Sequence, residues 1–187
     1  SIKLCSYEFN SLPITQVLKS KSGLEIQGII WNSISNDETR KIIETLEKIK
    51  VFKKNHDSSN LMHNKFIIID DELLITGSTN FTENCLYNNF NDILIIEDKV
   101  TIRRYIDYFN YLNKLELYIT ESKSLVLSDD ETSQANIKSY FSEVSDLDLK
   151  KILSDEIDKA KKNIIFSMFY FTDKSIIEKL KKKNKQK

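Results

Sequence analysis

The chain has 187 residues, and 40% of them are hydrophobic, enough for a proper core, so it reads as globular. Lys plus Arg and Asp plus Glu balance at 28 each, so whole-molecule charge marks no polyanionic partner and any attraction for nucleic acid must be local. No apolar run reaches the roughly 18 residues of a membrane span. Cys5 and Cys85 lack Cys-x-x-Cys or His spacing, which argues against zinc and reads as two buried thiols.

From the N-terminus, residues 2–9 read as a strand. Ser11-Leu12-Pro13 opens a helix to about Ser20, with Pro13 tolerated in the first turn, and Gly23 closes it. Residues 24–31 read as a second strand, and strand, helix, strand implies a right-handed crossover and a parallel pair. Asn36 or Asp37 caps a helix over about 38–48, with Ile42, Ile43, Leu46 and Ile49 at helical spacing. Val51-Phe52 is a short strand, followed by a polar loop over 53–60. Ser1 is not an initiator Met and no signal peptide is visible, which leaves the compartment open between cytoplasm and export.

The densest chemistry lies in residues 61–80, where His63, Lys65 and Asp70 stand as His-x-Lys-x4-Asp and Gly77-Ser78-Thr79-Asn80 follows as Gly-Ser-x-Asn. Residues 66–69 and 73–76 read as short buried strands, and Asp70-Asp71-Glu72 between them has hairpin length. His63 and Lys65 are two apart and share a face. The hairpin returns Ser78 and Asn80 beside them, and Gly77 lets the backbone come close.

Further on, residues 81–88 read as a helical turn and 93–97 as a buried strand. Asp98 caps a helix to about Leu115 whose core stripe holds Ile102, Tyr105, Ile106, Phe109 and Leu112. Residues 118–127 read as one or two strands and 128–136 as a polar link. Asp146 caps an amphipathic helix through Lys162 with Leu149, Ile152, Leu153, Ile157 and Ala160 as its buried face. Residues 164–171 form an apolar strand, and Asp173 caps a last helix.

An imidazole, an ammonium, a hydroxyl and a carboxamide on one face suit a phosphodiester. A neutral imidazole can attack phosphorus and form a phosphohistidine, splitting one hard displacement into two easier ones. Lys65, Ser78 and Asn80 supply fixed donors for the developing charge in place of a metal. The candidate catalytic set is therefore His63, Lys65, Asp70, Ser78 and Asn80, within which Asp70 is expected to hold its strand end and hydrogen-bond locally. Lys48, Lys50, Lys53, Lys54 and His56 precede the motif. They read either as a solvated helix end and loop or as a local basic cluster; in the second case Lys53, Lys54 and His56 are candidate substrate-binding residues.

These residues resemble the His-Lys-Asp motif, with its trailing Gly-Ser-x-Asn, of the phospholipase D superfamily. That family includes phospholipases, cardiolipin and phosphatidylserine synthases, metal-independent nucleases and tyrosyl-DNA phosphodiesterases. The resemblance implies no metal, no cofactor, and two copies of the motif facing each other across one cleft, within one chain or across a homodimer. The second imidazole serves as general acid and base. Relatives often carry Asn-x-Glu after Gly-Ser-x-Asn, whose Glu pairs with the catalytic His. This chain has Asn89-Phe90-Asn91 followed by Asp92, so Asn91, itself a further candidate substrate-binding residue, or Asp92 is left to orient His63.

The two ends of the chain also match each other. Residues 2–20 and 164–182 align without a gap, pairing Ile2 with Ile164, Phe9 with Phe171, Ile14 with Ile176, Leu18 with Leu180 and Lys19 with Lys181. The counterpart of His63 would fall beyond Lys187, so the chain is expected to be a fragment of a two-copy protein. The expected organisation is a first phospholipase D-like unit over 1–118, a linker with connecting strands over 119–145, and the start of a truncated second unit over 146–187. The fold class is α/β, a mixed, largely parallel sheet flanked by helices. The function expected is a metal-independent endonuclease or nucleic-acid phosphodiesterase working through a phosphohistidine. The alternatives are a phospholipase D or cardiolipin-synthase-like phosphatidyltransferase acting on phospholipid, and a non-catalytic module.

Overall fold

A computed structural model describes residues 1–21, 23–31, 37–46, 48–52, 61–114, 135, 137–142 and 147–184. The chain divides into two compact units, residues 1–139 and 140–187.

In the first unit a six-stranded sheet has the order β3-β2-β1-β4-β5-β6. Its strands are β1 Ile2–Ser6, β2 Ile26–Trp31, β3 Ile49–Phe52, β4 Lys65–Ile69, β5 Leu73–Gly77 and β6 Ile93–Ile96. The β1–β2 and β2–β3 pairs are parallel, as the helical crossovers require. The β1–β4, β4–β5 and β5–β6 pairs are antiparallel. The sheet is mixed, but the expectation of a largely parallel one is corrected. The crossover rule reaches only β1 to β3; β4 already runs opposite to β1, and the hairpin after Ile69 turns β5 opposite to β4.

Helix α1, Leu12–Ser20, starts where Ser11 accepts from the Ile14 amide and Pro13 fits the first turn. It ends at Lys21 rather than through Gly23. Helix α2 covers Asp37–Ile43, shorter than its periodicity suggested. Leu18 and Ile43 join Leu4, Phe9, Ile26, Ile30 and Phe81 in one core layer on this side of the sheet, with Ile14, Leu46 and Ile67 against it. Burying each such aliphatic or aromatic side chain contributes about 1.5–3 kcal/mol.

On β4 the alternation is clear: Phe66 and Ile68 are buried, while Ile67 turns to the first layer. Phe66 meets Tyr105 edge-on at 5.1 Å and Tyr108 at 6.3 Å, both from α4, Lys99–Lys114. Asp98 caps α4, accepting from the Thr101 amide at 2.9 Å and its hydroxyl at 2.7 Å. The short α3 spans Glu83–Tyr87 with Thr82 as its cap.

Two strand expectations are corrected here. The first strand ends at Ser6, and Phe9 instead bridges Phe81. β6 is not buried, since Ile93, Leu94 and Ile95 are all exposed at the edge of the sheet. Its apolar run looks like a core strand, but sequence composition does not say which strand has only one neighbour.

In the second unit Asp148, not Asp146, caps α5, Leu149–Lys159, accepting from the Lys151 amide at 3.0 Å. Of its expected buried face Ile157 is buried, whereas Leu149 and Leu153 are exposed. Asp173 caps α6, Lys174–Asn184, through the Ser175 and Ile176 amides, as expected. Lys179 ties the helices together through Ser154 and Asp158, and Lys150 reaches Asp173 at 3.0 Å. Residues 164–171 form no strand, because no described neighbour offers them a ladder, and Ile165, Phe169 and Tyr170 are exposed. The strands expected over 118–127, the greater part of the link over 128–136, and Asp146 lie outside the described residues.

Candidate active site

β4 lies between β1 and β5 and runs opposite to both, so the C-terminal ends of two neighbours flank its start. Ser6 pairs with Lys65, and Phe66 with Thr76. Three segments therefore meet at one end of the sheet: 6–8 after β1, 63–65 entering β4, and 77–80 leaving β5. Gly77 sits at φ 146°, where a Cβ would run into the Asp92 carbonyl oxygen, so only glycine lets β5 and the start of β6 close together.

His63 stands just before β4, and the extended alternation still puts it and Lys65 on one side. Asn64, on the other side, donates to the Tyr108 hydroxyl at 2.8 Å and anchors the segment to α4. The Lys65 ammonium donates to the His63 carbonyl at 2.9 Å and lies 3.3 Å from each ring nitrogen. The ring of His63 is exposed and rests on Tyr7, with centroids 4.5 Å apart; Lys65 Nζ lies 5.3 Å from the Tyr7 centroid.

Partial burial lowers the His63 pKa below its ordinary 6.5, the Lys65 charge lowers it further, and Glu8 opposes both. Burial also pulls Lys65 down to about 8, against the carboxylate of Glu8. An imidazole kept neutral near pH 7 beside an ammonium is the protonation pattern that a nucleophilic histidine needs.

Ser78 donates to Asp92 Oδ1 at 2.5 Å and accepts from the Asp92 amide at 3.0 Å, while Thr79 donates to the Asp92 carbonyl at 2.9 Å. Asn91 donates to the Cys85 carbonyl at 3.0 Å and is 3.5 Å from Ser78. Neither Asn91 nor Asp92 is a partner of His63; the expectation that one of them orients the ring is corrected, because Ser78 and the Cys85 carbonyl take their polar groups. Asn80 donates to Glu8 Oε2 at 3.0 Å, and its side-chain carbonyl oxygen is buried without a hydrogen-bond partner among the described residues.

Asp70 lies at the far end of β4, where it meets the amino group of Ser1 and accepts no bond from the cluster. With Asp71 it forms the left-handed centre of the hairpin turn, at φ 52° and 56°. Lys53, Lys54 and His56 lie outside the described residues. Lys48 is exposed and pairs with Glu25 at 3.2 Å. Cys5 is buried against Met62, and Cys85 is half-buried. No three of His, Cys, Asp and Glu gather as metal ligands among the described residues.

The site also holds residues that sequence reasoning missed. Tyr7 and Glu8 arrive from a segment more than fifty positions upstream of His63, through the β1–β4 pairing. The available signal was a Tyr-Glu-Phe run between a first strand and a helix cap, where a carboxylate has no structural duty.

A His-x-Lys segment entering a strand between two antiparallel neighbours, with Gly-Ser-x-Asn leaving the hairpin beside it, defines a phospholipase D-like domain. Residues 1–113 match the family model described as cardiolipin synthase, PLD-like domain, and the chain belongs to that family. It is similar to a mitochondrial cardiolipin hydrolase of Canis lupus familiaris, 29% identical over 113 residues that cover 58% of this chain and 43% of that protein. It is similar also to a phospholipase D of Rickettsia conorii, 30% identical over 116 residues covering 61% and 56%. Among solved structures, NucT from Helicobacter pylori aligns with a TM-score of 0.49 and 27% identity, over 59% of this chain and 76% of that one. The chain spans about half the length of the curated relatives it matches.

Proposed function

We propose that the chain is the nucleophilic part of a phosphodiester hydrolase that works through a phosphohistidine on His63. The observation that carries this reading is the exposed imidazole with the Lys65 ammonium 3.3 Å from its ring nitrogens. A ring nitrogen attacks phosphorus, the N–P bond forms, and the P–O bond to the leaving group breaks with its electron pair on oxygen. Lys65 and the free amide hydrogen of Asn80 hold the phosphoryl oxygens, while Ser78, whose one hydrogen goes to Asp92, fixes the segment that carries Asn80. The leaving oxygen takes a proton from a second imidazole, supplied by another copy of the motif; that imidazole then takes a proton from water, whose oxygen bonds to phosphorus as the N–P bond breaks, freeing a phosphate monoester and neutral His63.

The substrate proposed first is nucleic acid, supported by the run of lysines that leads through Lys53 and Lys54 to the motif. A phospholipid is the second reading. It is supported by the exposed Phe90 and Tyr87 next to Asn91, which suit acyl chains, and by relatives named for cardiolipin hydrolase and phospholipase D activity. The test offers plasmid DNA, single-stranded DNA and cardiolipin vesicles to the full chain in EDTA. DNA cleavage lost in His63→Ala supports the first reading, and phosphatidate release alone the second. No turnover of any diester rejects both and leaves a binding module.

A further inference from the structure

The candidate site contains a carboxylate that the family pattern does not place there. Glu8 follows β1 in a loop stitched to the segment after β5: the Asn10 and Ser11 amides both donate to the Phe81 carbonyl at 3.1 Å, and the Glu83 amide donates to Asn10 at 3.0 Å. The Ser6 hydroxyl fixes the loop from inside, donating to the Glu8 carbonyl at 2.7 Å. Glu8 is thus held by backbone on both sides, and its side chain accepts the amide of Asn80 at 3.0 Å.

That contact fixes which way Asn80 points. With its nitrogen on an ionised carboxylate, reversal would set two acceptors against each other. The second N–H stays available for a phosphoryl oxygen. The cost is a buried side-chain carbonyl oxygen with no partner among the described residues, which a site tolerates where orientation matters more than local stability.

Asp92, also at this end of the sheet, is committed elsewhere. Asp92 takes the Ser78 hydroxyl, and Asn91, in place of the relatives' Glu, gives its amide to the Cys85 carbonyl. The groups that act on His63 are Lys65 from β4 and, from the loop after β1, Tyr7 and Glu8. Glu8 raises the proton affinity of both His63 and Lys65, so its charge reaches both nitrogen bases of the site. Phosphoryl transfer leaves a positive charge on the imidazole, and a fixed carboxylate nearby stabilises that charge without spending a hydrogen bond on it.

We propose that Glu8 is the positioning carboxylate of this site, moved from the segment before β6 to the loop after β1, where it orients Asn80 and offsets the charge on phosphorylated His63. This rests on the phosphohistidine reading above. It carries a distinctive kinetic signature, because a carboxylate repels the anionic substrate even as it stabilises the intermediate.

The test is Glu8→Gln in the full chain, which keeps an acceptor for Asn80 and removes only the charge. The chain has two histidines, so NMR titration follows His63 once its signal is told from that of His56 with His56→Ala. In E8Q the ring of His63 titrates at lower pH than in the unchanged protein, and Asp92→Asn leaves His63 where it was. With bis(p-nitrophenyl) phosphate, kcat of E8Q falls on the order of tenfold and KM does not rise. An unmoved His63 in folded E8Q, or a loss confined to Glu8→Ala, overturns the assignment and leaves Glu8 a loop anchor. A shifted His63 without turnover by the unchanged protein supports the charge coupling and rejects the phosphohistidine reading alone.

Discussion

Lys65 Nζ stands 3.3 Å from both ring nitrogens of His63 and donates to the carbonyl of the same residue at 2.9 Å. The ammonium therefore presses on the imidazole, and the two groups favour opposite protonation states at neutral pH. This coupling has a direct consequence for rate against pH.

The proposed nucleophile is active only as neutral imidazole, and Lys65 stabilises phosphoryl charge only as ammonium. The profile of kcat/KM is expected to be bell-shaped. Its acid limb falls below the ordinary 6.5 of histidine and its basic limb lies near 8, where Lys65 loses its proton. Lys65→Arg moves the basic limb out of range, since guanidinium does not titrate there. A basic limb that stays near 8 in K65R assigns it to another group.

Lys65 is also a cost to the fold. Its pKa of about 8 lies below the 10.5 of the unfolded chain, so the unfolded state binds more protons between those values and stability rises with pH across that window. Lys65→Met is expected to raise Tm at pH 7 while abolishing turnover. The stability gap to the unchanged protein narrows as pH climbs from about 8 towards 10. Calorimetry at pH 7 and pH 9.5 reads both effects, and a K65M less stable at pH 7 contradicts them.

Gly77→Ala tests the closure of β5 on β6. The added Cβ meets the Asp92 carbonyl at a φ that L-residues avoid. A loss of about 2–3 kcal/mol in urea unfolding is expected, typical of a strained position with a clash. Turnover falls further than stability explains, because Ser78 and Asp92 shift together.

Ser78 and Asp92 exchange two hydrogen bonds and should act as one unit. Ser78→Ala and Asp92→Asn are each expected to lower kcat, and the double variant to lose little more than the worse single one. Additive losses in the double-mutant cycle show that they work separately.

Much of this site was legible because its residues are close in sequence. The hairpin from Phe66 to Thr76, the shared side of His63 and Lys65, and the caps at Ser11, Asp98 and Asp173 all follow from local rules that the structure keeps. Glu8 was not legible, since it reaches Asn80 only through a pairing of β1 with β4 that no local signal announces. The sheet is not largely parallel for a related reason: the rule for helical crossovers reaches β1 to β3, and it says nothing about β4, which pairs antiparallel with β1. β6 shows the limit of apolar patterning, since Ile93, Leu94 and Ile95 lie at an open edge with the composition of a core strand. Asn91 and Asp92 have the residue types to face His63, but the register at Gly77 turns them to Ser78.

The central claim, that His63 attacks phosphorus, is tested most directly with bis(p-nitrophenyl) phosphate in EDTA. Its leaving group departs without a proton and so needs no second imidazole. The full chain should release a burst of p-nitrophenolate matched by one acid-labile phosphoryl adduct per active site. His63→Ala should lose both the adduct and roughly a thousandfold or more in rate, as removal of a covalent nucleophile does. A folded His63→Ala with an unchanged rate, or an adduct that maps to any other residue, would contradict the account.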